Sequence, residues 1–296
     1  MIIGVSDSNQ YKFSGQLIEH WEKQGHEVRK SIYHEPDFVK ECDAVFYDFA
    51  DGCALQMSKE GVKAKKCIIR GIDIDLYAKH FHNINYDLVD HFIVLCDRTK
   101  KMVENTVPEK KLHVIQCGVS LKKFTLKKLS RTKKAVFVGR LWIGKNVAGA
   151  IDVVTELNRL DPGWTLHIRG ERFDPVWWED FVMNKIKLAE FPVIFDDPVA
   201  DMNEYLEDKD LSIISSYKEA FSYAGAEALA KGIPAVFADW PESRDLWPGY
   251  TYSTPREAAD LYLNNLQNFR DEHRAFIKRR YDEQIMFSKI DALLEA

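Results

Sequence analysis

The chain of 296 residues carries 41 Lys and Arg against 46 Asp and Glu, a net charge of −5, and 46% hydrophobic residues. These values exclude a disordered or fibrous protein. No apolar run approaches the roughly 20 residues that span a bilayer, and Met1–Ser6 predicts a β-strand rather than a signal peptide. We therefore expect a cytoplasmic protein of two α/β domains.

The charge is unevenly distributed along the chain. Residues 1–134 hold 23 basic and 18 acidic side chains, whereas the remainder has a net charge of −10. A basic first half would suit an anionic acceptor such as a lipid phosphate, a membrane surface or nucleic acid, but solvated surface lysines are the simpler explanation. The cysteines show no C-x-x-C spacing, which predicts buried, reduced thiols.

Short apolar runs alternate with amphipathic stretches through the first half. Phe13, Leu17 and Trp21 recur every four residues, as one face of a helix requires. Strands are predicted at Met1–Ser6, Asp43–Phe49, Cys67–Ile69, Phe92–Leu95 and His113–Ile115. Strands that alternate with helices are typical of a doubly wound parallel sheet.

The alternation restarts after a polar, Lys-rich connector at Ser120–Lys134. Further strands are predicted at Ala135–Val138, Thr165–Ile168, Val193–Phe195, Leu211–Ile214 and Ala235–Phe237. Helices are predicted from about Val147, from Trp177, up to Ala230, and throughout Arg256–Ala296. We therefore predict an N-terminal domain at 1–128, a C-terminal domain at 129–278, and a final helix at 279–296 that returns to the N-terminal domain.

A loop with two cations follows the strand that opens the second half. Gly139–Asn146 places Arg140 and Lys145 five residues apart on a glycine-bearing turn. A guanidinium fork and an ammonium at this spacing can close on one diphosphate and neutralise the charge of a departing nucleoside diphosphate. A basic loop that merely caps the next helix would carry the same residues.

A second candidate segment, Ser216–Pro234, begins after another predicted strand. Glu219 lies before a helix rich in small residues, and Glu227 lies within it. The Phe221 and Ser222 amides would lie at the helix N-terminus, where phosphate binds readily. Glu219 could then reach sugar hydroxyls, and Glu227 could accept from a ribose diol. The alternative is a buried Ala-rich helix with two incidental glutamates.

The order and spacing of these two segments resemble the signatures of the GT4-type family of retaining GT-B glycosyltransferases, or glycosyltransferase group 1. That family carries a GRL…K(G/N) loop followed by an S..E.fg….EA.a.G.P segment with an E-x7-E pair, and Gly139–Asn146 and Ser216–Pro234 match them. Leu112–Phe124 and Val193–Ser216 resemble the stretches that precede each motif in the family. The likeness is carried by Lys111–Pro234 and is weaker before it.

The resemblance implies an α/β GT-B fold, in which two Rossmann-like domains have parallel sheets that face a central cleft. It implies catalytic roles for Arg140, Lys145 and Glu219. The donor-binding residues would be Gly139, Arg140, Lys145, Gly170, Glu219, Phe221, Ser222 and Glu227. The donor would be a nucleoside diphosphate sugar, foremost a UDP-sugar, with no cofactor and no metal required.

The first half departs from the family pattern. Arg70 stands where the family has a histidine near the sugar, so a proton-handling role is lost while a cation is kept. The first loop lacks the usual paired glycines, for which Ser14 and Gly15 substitute. These three residues and Asp73 are the predicted acceptor-side candidates. Asp73 and Asp75 have the letters of a metal-binding D-x-D motif but lie in the wrong half for donor binding.

The function implied is transfer of a sugar, with retention of configuration, to a surface glycan or a lipid-linked saccharide, in the cytoplasm or at the inner face of a membrane. A phage-type enzyme that glycosylates modified DNA bases is an alternative. So are a catalytically silent nucleotide-sugar-binding module and a nucleotide-sugar epimerase on the same scaffold. The sequence does not specify the sugar, the nucleobase, the acceptor or the oligomeric state.

Overall fold

The computed structural model describes residues 1–128, 131–171 and 176–296, without the side chains of residues 74 and 176–178. The chain divides into two compact units: Met1–Cys117 with Gln284–Ala296 forms unit 1, and Gly118–Glu283 forms unit 2. The predicted boundary between 128 and 129 adjoins residues 129 and 130, which lie outside the described residues. No helix in the described part of the chain has the length and apolar content needed to cross a membrane.

Each unit contains a parallel sheet of six strands. The strands of unit 1 are β1 Ile2–Ser6, β2 Glu27–Ser31, β3 Ala44–Asp48, β4 Lys66–Arg70, β5 His91–Val94 and β6 Leu112–Val114. The strands of unit 2 are β7 Lys134–Val138, β8 Thr165–Arg169, β9 Val193–Phe195, β10 Leu211–Ile214, β11 Ala235–Ala238 and β12 Thr251–Tyr252.

Helices connect the strands in both units. The helices that follow β1 to β5 are α1 Gly15–Lys23, α2 Pro36–Lys40, α3 Gly52–Glu60, α4 Asp73–Tyr77 and α5 Asp97–Val103. Those of unit 2 are α6 Val147–Leu160, α7 Val176–Lys187, α8 Met202–Tyr205, α9 Tyr223–Ala230, α10 Ser243–Leu246, α11 Pro255–Leu261 and α12 Arg270–Arg280. The last helix is α13 Glu283–Glu295.

The strand order reverses once in each sheet. The first sheet has the order β2-β1-β3-β4-β5-β6, so the chain changes direction between β1 and β3. The second has the order β12-β11-β10-β7-β8-β9, so the change falls between β7 and β10. In open α/β sheets, ligands bind beyond the carboxyl ends of the strands at such a switch point. The loops after β7 and β10 therefore lie where a ligand of unit 2 is expected.

The last helix completes one face of the first sheet. Leu17 and Trp21 of α1 share a buried cluster with Phe287 and Ile290 of α13 and the apolar residues of β1. The Trp21 Nε1 donates to Asp291 Oδ1 over 2.9 Å. Burial of each such side chain stabilises the fold by about 1.5–3 kcal/mol, so unit 1 depends on the C-terminal residues.

An aromatic cluster supports the start of α9 in unit 2. The rings of Phe237 and Trp247 are stacked, with centroids 4.3 Å apart. Phe221 packs edge-on against Tyr281 at 5.3 Å and lies 5.7 Å from Trp247. Because Phe221 immediately precedes the N-cap residue of α9, this packing fixes the direction from which the chain enters the helix.

Most predicted strands occur within one residue of their expected bounds, but three expectations were wrong. β2 and the two-residue β12 were missed. The segment from Arg256 is not helical throughout, because α12 ends before Tyr281, whose backbone leaves the helical region at φ −134°. The described residues of the connector belong to unit 2: Lys127 is buried and donates to the Lys209 carbonyl over 2.7 Å. All five cysteines are buried and free, as predicted.

Candidate active site

The two motif-bearing loops of unit 2 are joined to each other by hydrogen bonds. The Tyr217 N–H donates to the Gly144 carbonyl over 3.0 Å. The Ser215 hydroxyl donates to the Asn146 carbonyl over 2.7 Å and to the Lys145 carbonyl over 3.2 Å. Sequence-distant loops after β7 and β10 therefore form one surface at the switch point.

Lys145 and Glu219 meet on this surface. The Lys145 ammonium donates to Glu219 Oε1, and the buried Ser216 hydroxyl donates to the same oxygen over 2.7 Å. The side chains of Lys145 and Glu219 are 30% and 12% exposed, so the pair is open to a ligand on one side. A cation and a carboxylate side by side can bind two parts of one substrate: the cation binds a diphosphate, and the carboxylate accepts from a hydroxyl.

The carboxyl ends of β7 and β8 approach each other closely next to the loop that carries Lys145. The Gly139 N–H donates to the Arg169 carbonyl over 3.0 Å, and the Leu141 N–H donates to the Glu171 carbonyl over 2.8 Å. A Cβ added to Gly170 would lie 1.7 Å from the Gly139 oxygen. Only glycine therefore fits at 170 while the two strand ends keep this spacing. Arg140 is exposed on the same loop.

The N-terminus of α9 follows Glu219 closely in sequence, and Ser222 is its N-cap residue. The Ser222 hydroxyl accepts from the Gly225 N–H over 3.4 Å. Among the described residues, no acceptor takes the Phe221 and Ser222 N–H groups. Free amide donors at a helix start, with the positive end of the helix dipole, form an anion site.

Glu227 lies one helical turn and a half further along α9. Burial raises the pKa of its carboxyl to about 7, while the cations of Lys123 and Arg169 lower that pKa in part. Within the described part of the chain its carboxylate has no hydrogen-bond or ion-pair partner. A partly buried carboxyl without a donor is suited to accept from the hydroxyls of a ligand.

We expect the affinity for the nucleoside diphosphate sugar that the motifs imply to depend on the ionisation of Glu227. The ordinary pKa of the group is 4.5, and in the folded protein it is raised to about 7. Ribose hydroxyls that donate to the carboxylate favour its ionised form, so binding should strengthen as pH rises toward 7 and level off above it. Below the pKa, affinity should fall by up to about tenfold per pH unit.

Calorimetric titration of UDP-glucose between pH 5.5 and 8.5 measures this dependence, because its diphosphate diester does not titrate in that range. Glu227→Gln is the matched control, since it keeps the shape of the side chain but cannot ionise. Its affinity should be low and independent of pH. An equal pH dependence in both proteins would exclude Glu227 as the titrating group.

In unit 1, Arg70 is buried in an ion pair. Its guanidinium donates to both oxygens of Asp48 over 2.6 and 2.7 Å and to the Phe13 carbonyl over 3.1 Å. Asp7 lies beside this pair and accepts from the Ser14 hydroxyl over 2.6 Å. Burial raises the pKa of Asp7, and the carboxylate of Asp48 raises it further. The candidates Ser14 and Arg70 thus share one buried polar network at the carboxyl ends of β1, β3 and β4.

The other two acceptor-side candidates are placed differently. Asp73 accepts two hydrogen bonds from Arg98 of α5, over 3.0 and 2.9 Å. Gly15 opens α1, and a Cβ added there would meet nothing within 4 Å. Asp75 accepts from the Ala50 N–H over 3.0 Å, and burial raises the pKa of its carboxyl to about 7. In residues 1–128, 131–171 and 176–296, no three His, Cys, Asp or Glu side chains form a metal-binding group.

Sequence reasoning did not single out several residues of these two sites. Ser216 lay within a recognised motif, but its bond to Glu219 was not predicted. Asp7 and Asp48 end adjacent strands, a position at which a carboxylate could have been noted. Arg169 immediately precedes Gly170, and its charge acts on Glu227. Nothing in the sequence pattern connects these two residues.

Comparison with known proteins gives a match over the second half. A sequence model of the family described as "Glycosyl transferases group 1" matches residues 120–246. This span includes both motif-bearing loops and α9. No curated protein matches the chain.

Solved structures resemble nearly the whole chain. The crystal structure of Anabaena Alr3699/HepE in complex with UDP-glucose is 14% identical, with 99% of each chain covered and a TM-score of 0.78. Sucrose-phosphate synthase (tll1590) from Thermosynechococcus elongatus is 12% identical over 99% of this chain and 98% of that one, with a TM-score of 0.76. The pneumococcal O-GlcNAc transferase GtfA, in complex with UDP and GlcNAc, is 16% identical with a TM-score of 0.65 over 85% of this chain.

The crystal structure of TarM is 16% identical with a TM-score of 0.68 over 94% of this chain. The chain spans 56% of the length of GtfA and 57% of that of TarM. At these identities the likeness concerns the fold. The fold class is the predicted one: an α/β protein of two Rossmann-like units, each with a six-stranded parallel sheet, as in the GT-B glycosyltransferases.

Proposed function

We propose that the protein is a retaining glycosyltransferase of the GT4 type that transfers a sugar from a UDP-sugar to a surface glycan or a lipid-linked saccharide. The proposal rests above all on one observation: Lys145, Glu219 and the start of α9 come together at the switch point of the second sheet. The family match over residues 120–246 covers all three. HepE and GtfA, which share the fold, were crystallised with UDP or a UDP-sugar.

In this proposal the diphosphate is held from two sides. The Arg140 and Lys145 side chains approach it from the loop after β7, and the Phe221 and Ser222 amides approach it at the start of α9. These donors neutralise the charge that develops as the bond from the sugar C1 to the diphosphate oxygen breaks. The nucleoside diphosphate stays ion-paired as it leaves, and its departing oxygen takes the proton of the acceptor hydroxyl as that hydroxyl oxygen bonds to C1; in this proposal no metal ion is required.

The two glutamates bind opposite ends of the donor. Glu219, oriented by Ser216, accepts from hydroxyls of the transferred sugar. Glu227 accepts from the ribose, and the nucleoside lies next to the ends of β7 and β8, which approach each other at Gly139 and Gly170. Binding of both ends fixes C1 within reach of the acceptor hydroxyl, which converts the transfer into a nearly intramolecular step.

The acceptor is expected at unit 1. Ser14, Gly15, Arg70 and Asp73 are the candidate residues there, and the Arg70–Asp48 ion pair would fix the floor of such a site rather than handle a proton. A modified DNA base remains a second candidate acceptor, because residues 1–134 carry a net positive charge. Loss of binding to duplex DNA with rising salt would distinguish it.

The proposed activity is tested by incubating the protein with UDP-, GDP- and ADP-sugars and measuring release of the nucleoside diphosphate. We expect turnover with a UDP-sugar in wild type, and a loss of about 10²-fold or more in Arg140→Ala and Glu219→Ala. Full activity in both variants would refute the assignment of the site. Tight UDP binding with no turnover on any donor would indicate a silent binding module instead.

A further inference from the structure

Exposed apolar side chains occur in the two loops that carry Lys145 and Glu219. Trp142 is 39% exposed, Ile143 is 42% exposed and Tyr217 is 60% exposed. Single exposed apolar residues are ordinary on a protein surface, but a group of them beside a polar site points to a ligand or partner. Trp142 and Tyr217 both contact Gly144: the indole of Trp142 lies over it, and its carbonyl accepts from the Tyr217 N–H over 3.0 Å.

The indole of Trp142 lies flat on the chain rather than projecting from it. A Cβ added to Gly144 would lie 2.5–2.8 Å from three atoms of the indole. One face of the ring therefore covers Gly144, and the exposed area belongs to the opposite face and the edge. The backbone of Trp142 is fixed on both sides, since its N–H donates to the Arg140 carbonyl over 3.0 Å and its carbonyl accepts from Lys145 over 2.9 Å.

This geometry favours a flat, partly polar ligand over a membrane. A side chain that enters a lipid interface must project from the surface, whereas this ring rests on a glycine. A pyranose ring has an apolar C–H face that packs on an aromatic ring and hydroxyls that reach neighbouring polar groups. Lys145 and Glu219 provide such groups next to Gly144.

The place of Trp142 in the loop also separates its indole from the strand end where the nucleoside is expected. The loop residue that pairs with the β8 side is Leu141, whose N–H donates to the Glu171 carbonyl over 2.8 Å. The Trp142 ring instead covers Gly144, which is bonded to Tyr217 on the β10 side. The indole therefore lies on the part of the loop that is bonded to the loop after β10, which carries Glu219.

We propose that the open face of Trp142 is a stacking site for a pyranose ring of the acceptor. The acceptor is then a glycan that presents a sugar ring at the point of transfer, with Tyr217 bordering the same subsite. This inference rests on the proposed glycosyltransferase function, and it names a specificity-determining residue on unit 2.

Saturation-transfer NMR with methyl α-D-glucopyranoside and methyl β-D-N-acetylglucosaminide, each with saturating UDP, tests the proposal. Wild type should saturate the ring C–H protons of at least one probe. Trp142→Ala should weaken that binding by about 3- to 10-fold, and Trp142→Phe should retain most of it. Gly144→Ala should weaken it too, because the added methyl displaces the indole. Tyr33→Ala, which removes an exposed aromatic ring of unit 1, is the matched control and should have no effect.

Parallel measurements separate the possible failures. UDP titration into Trp142→Ala and Trp142→Phe should give unchanged affinity. A loss of UDP affinity in Trp142→Ala without an effect on the pyranosides would make the ring a nucleobase contact and overturn the proposal. Sedimentation with phosphatidylcholine–phosphatidylglycerol vesicles that depends on Trp142, with no pyranoside signal, would overturn it in favour of a membrane. A pyranoside signal unaffected by Trp142→Ala, or none in wild type, also overturns it. Failure of wild type to bind UDP would instead refute the proposed function.

Discussion

Replacing Lys145 with alanine should lower kcat for a UDP-sugar by about 10²- to 10³-fold. Glu219 holds the Lys145 ammonium at the switch point, and the Ser215 hydroxyl donates to the Lys145 carbonyl. Removal of the ammonium takes away charge stabilisation of the leaving diphosphate. Steady-state release of UDP, measured over a range of donor concentrations, gives kcat and KM separately.

A double-mutant comparison distinguishes a direct action of Lys145 on the diphosphate from an effect that Lys145 exerts through Glu219. If Lys145 acted only by holding Glu219, the variants Lys145→Ala and Glu219→Ala would lose equal activity and the double variant would lose no more. We expect the double variant to be less active than either single variant. Lys187→Ala, which removes an exposed lysine of the same unit, should leave kcat unchanged.

Replacing Gly170 with alanine should both destabilise unit 2 and impair the donor site. The added methyl would lie 1.7 Å from the Gly139 oxygen, so the ends of β7 and β8 must separate. Overpacking of this kind costs about 1–3 kcal/mol, which corresponds to a decrease in Tm of about 2–10 °C for a domain of this size. Calorimetry and donor turnover measure the two effects.

Gly52→Ala is the matched control for this substitution. A Cβ added to Gly52 would meet nothing within 4 Å, and the residue lies at the start of a helix. Its stability should change by less than about 0.5 kcal/mol. A Gly170→Ala protein as stable and as active as Gly52→Ala would contradict the close approach of the two strands.

The fold could be predicted because its central strands are apolar and regularly spaced. β10 and β9 occur at the predicted residues, and α6 begins at Val147 as expected. β2 was missed because Glu27–Ser31 is a half-exposed, charged strand at the edge of its sheet, where packing does not require an apolar pattern. The break at Tyr281 depends on tertiary packing: the ring is buried against Phe221 and Trp247, which local helix propensity does not reveal.

The position of the candidate site in the fold could be predicted from the sequence, but its side-chain contacts could not. Lys145 and Glu219 each follow a strand, and parallel strands end at one edge of the sheet, so their proximity follows from the topology. Their direct contact and the bond from Ser216 depend on loop geometry. In unit 1, Arg70 was expected to face a ligand, whereas Asp48, distant in sequence, balances its charge. Such pairings cannot be inferred from one sequence.

The diphosphate site at the ends of β7 and β10 is tested most directly by comparing UDP with uridine in calorimetric titrations of wild type and Lys145→Ala. Hydrogen bonds to charged groups contribute about 1.5–3 kcal/mol. We therefore expect the Lys145→Ala variant to bind UDP about 10- to 100-fold more weakly than wild type. Uridine, which lacks the diphosphate, should bind both proteins equally. Unchanged affinity for UDP, or an equal loss for both ligands, would contradict a diphosphate site at the ends of β7 and β10.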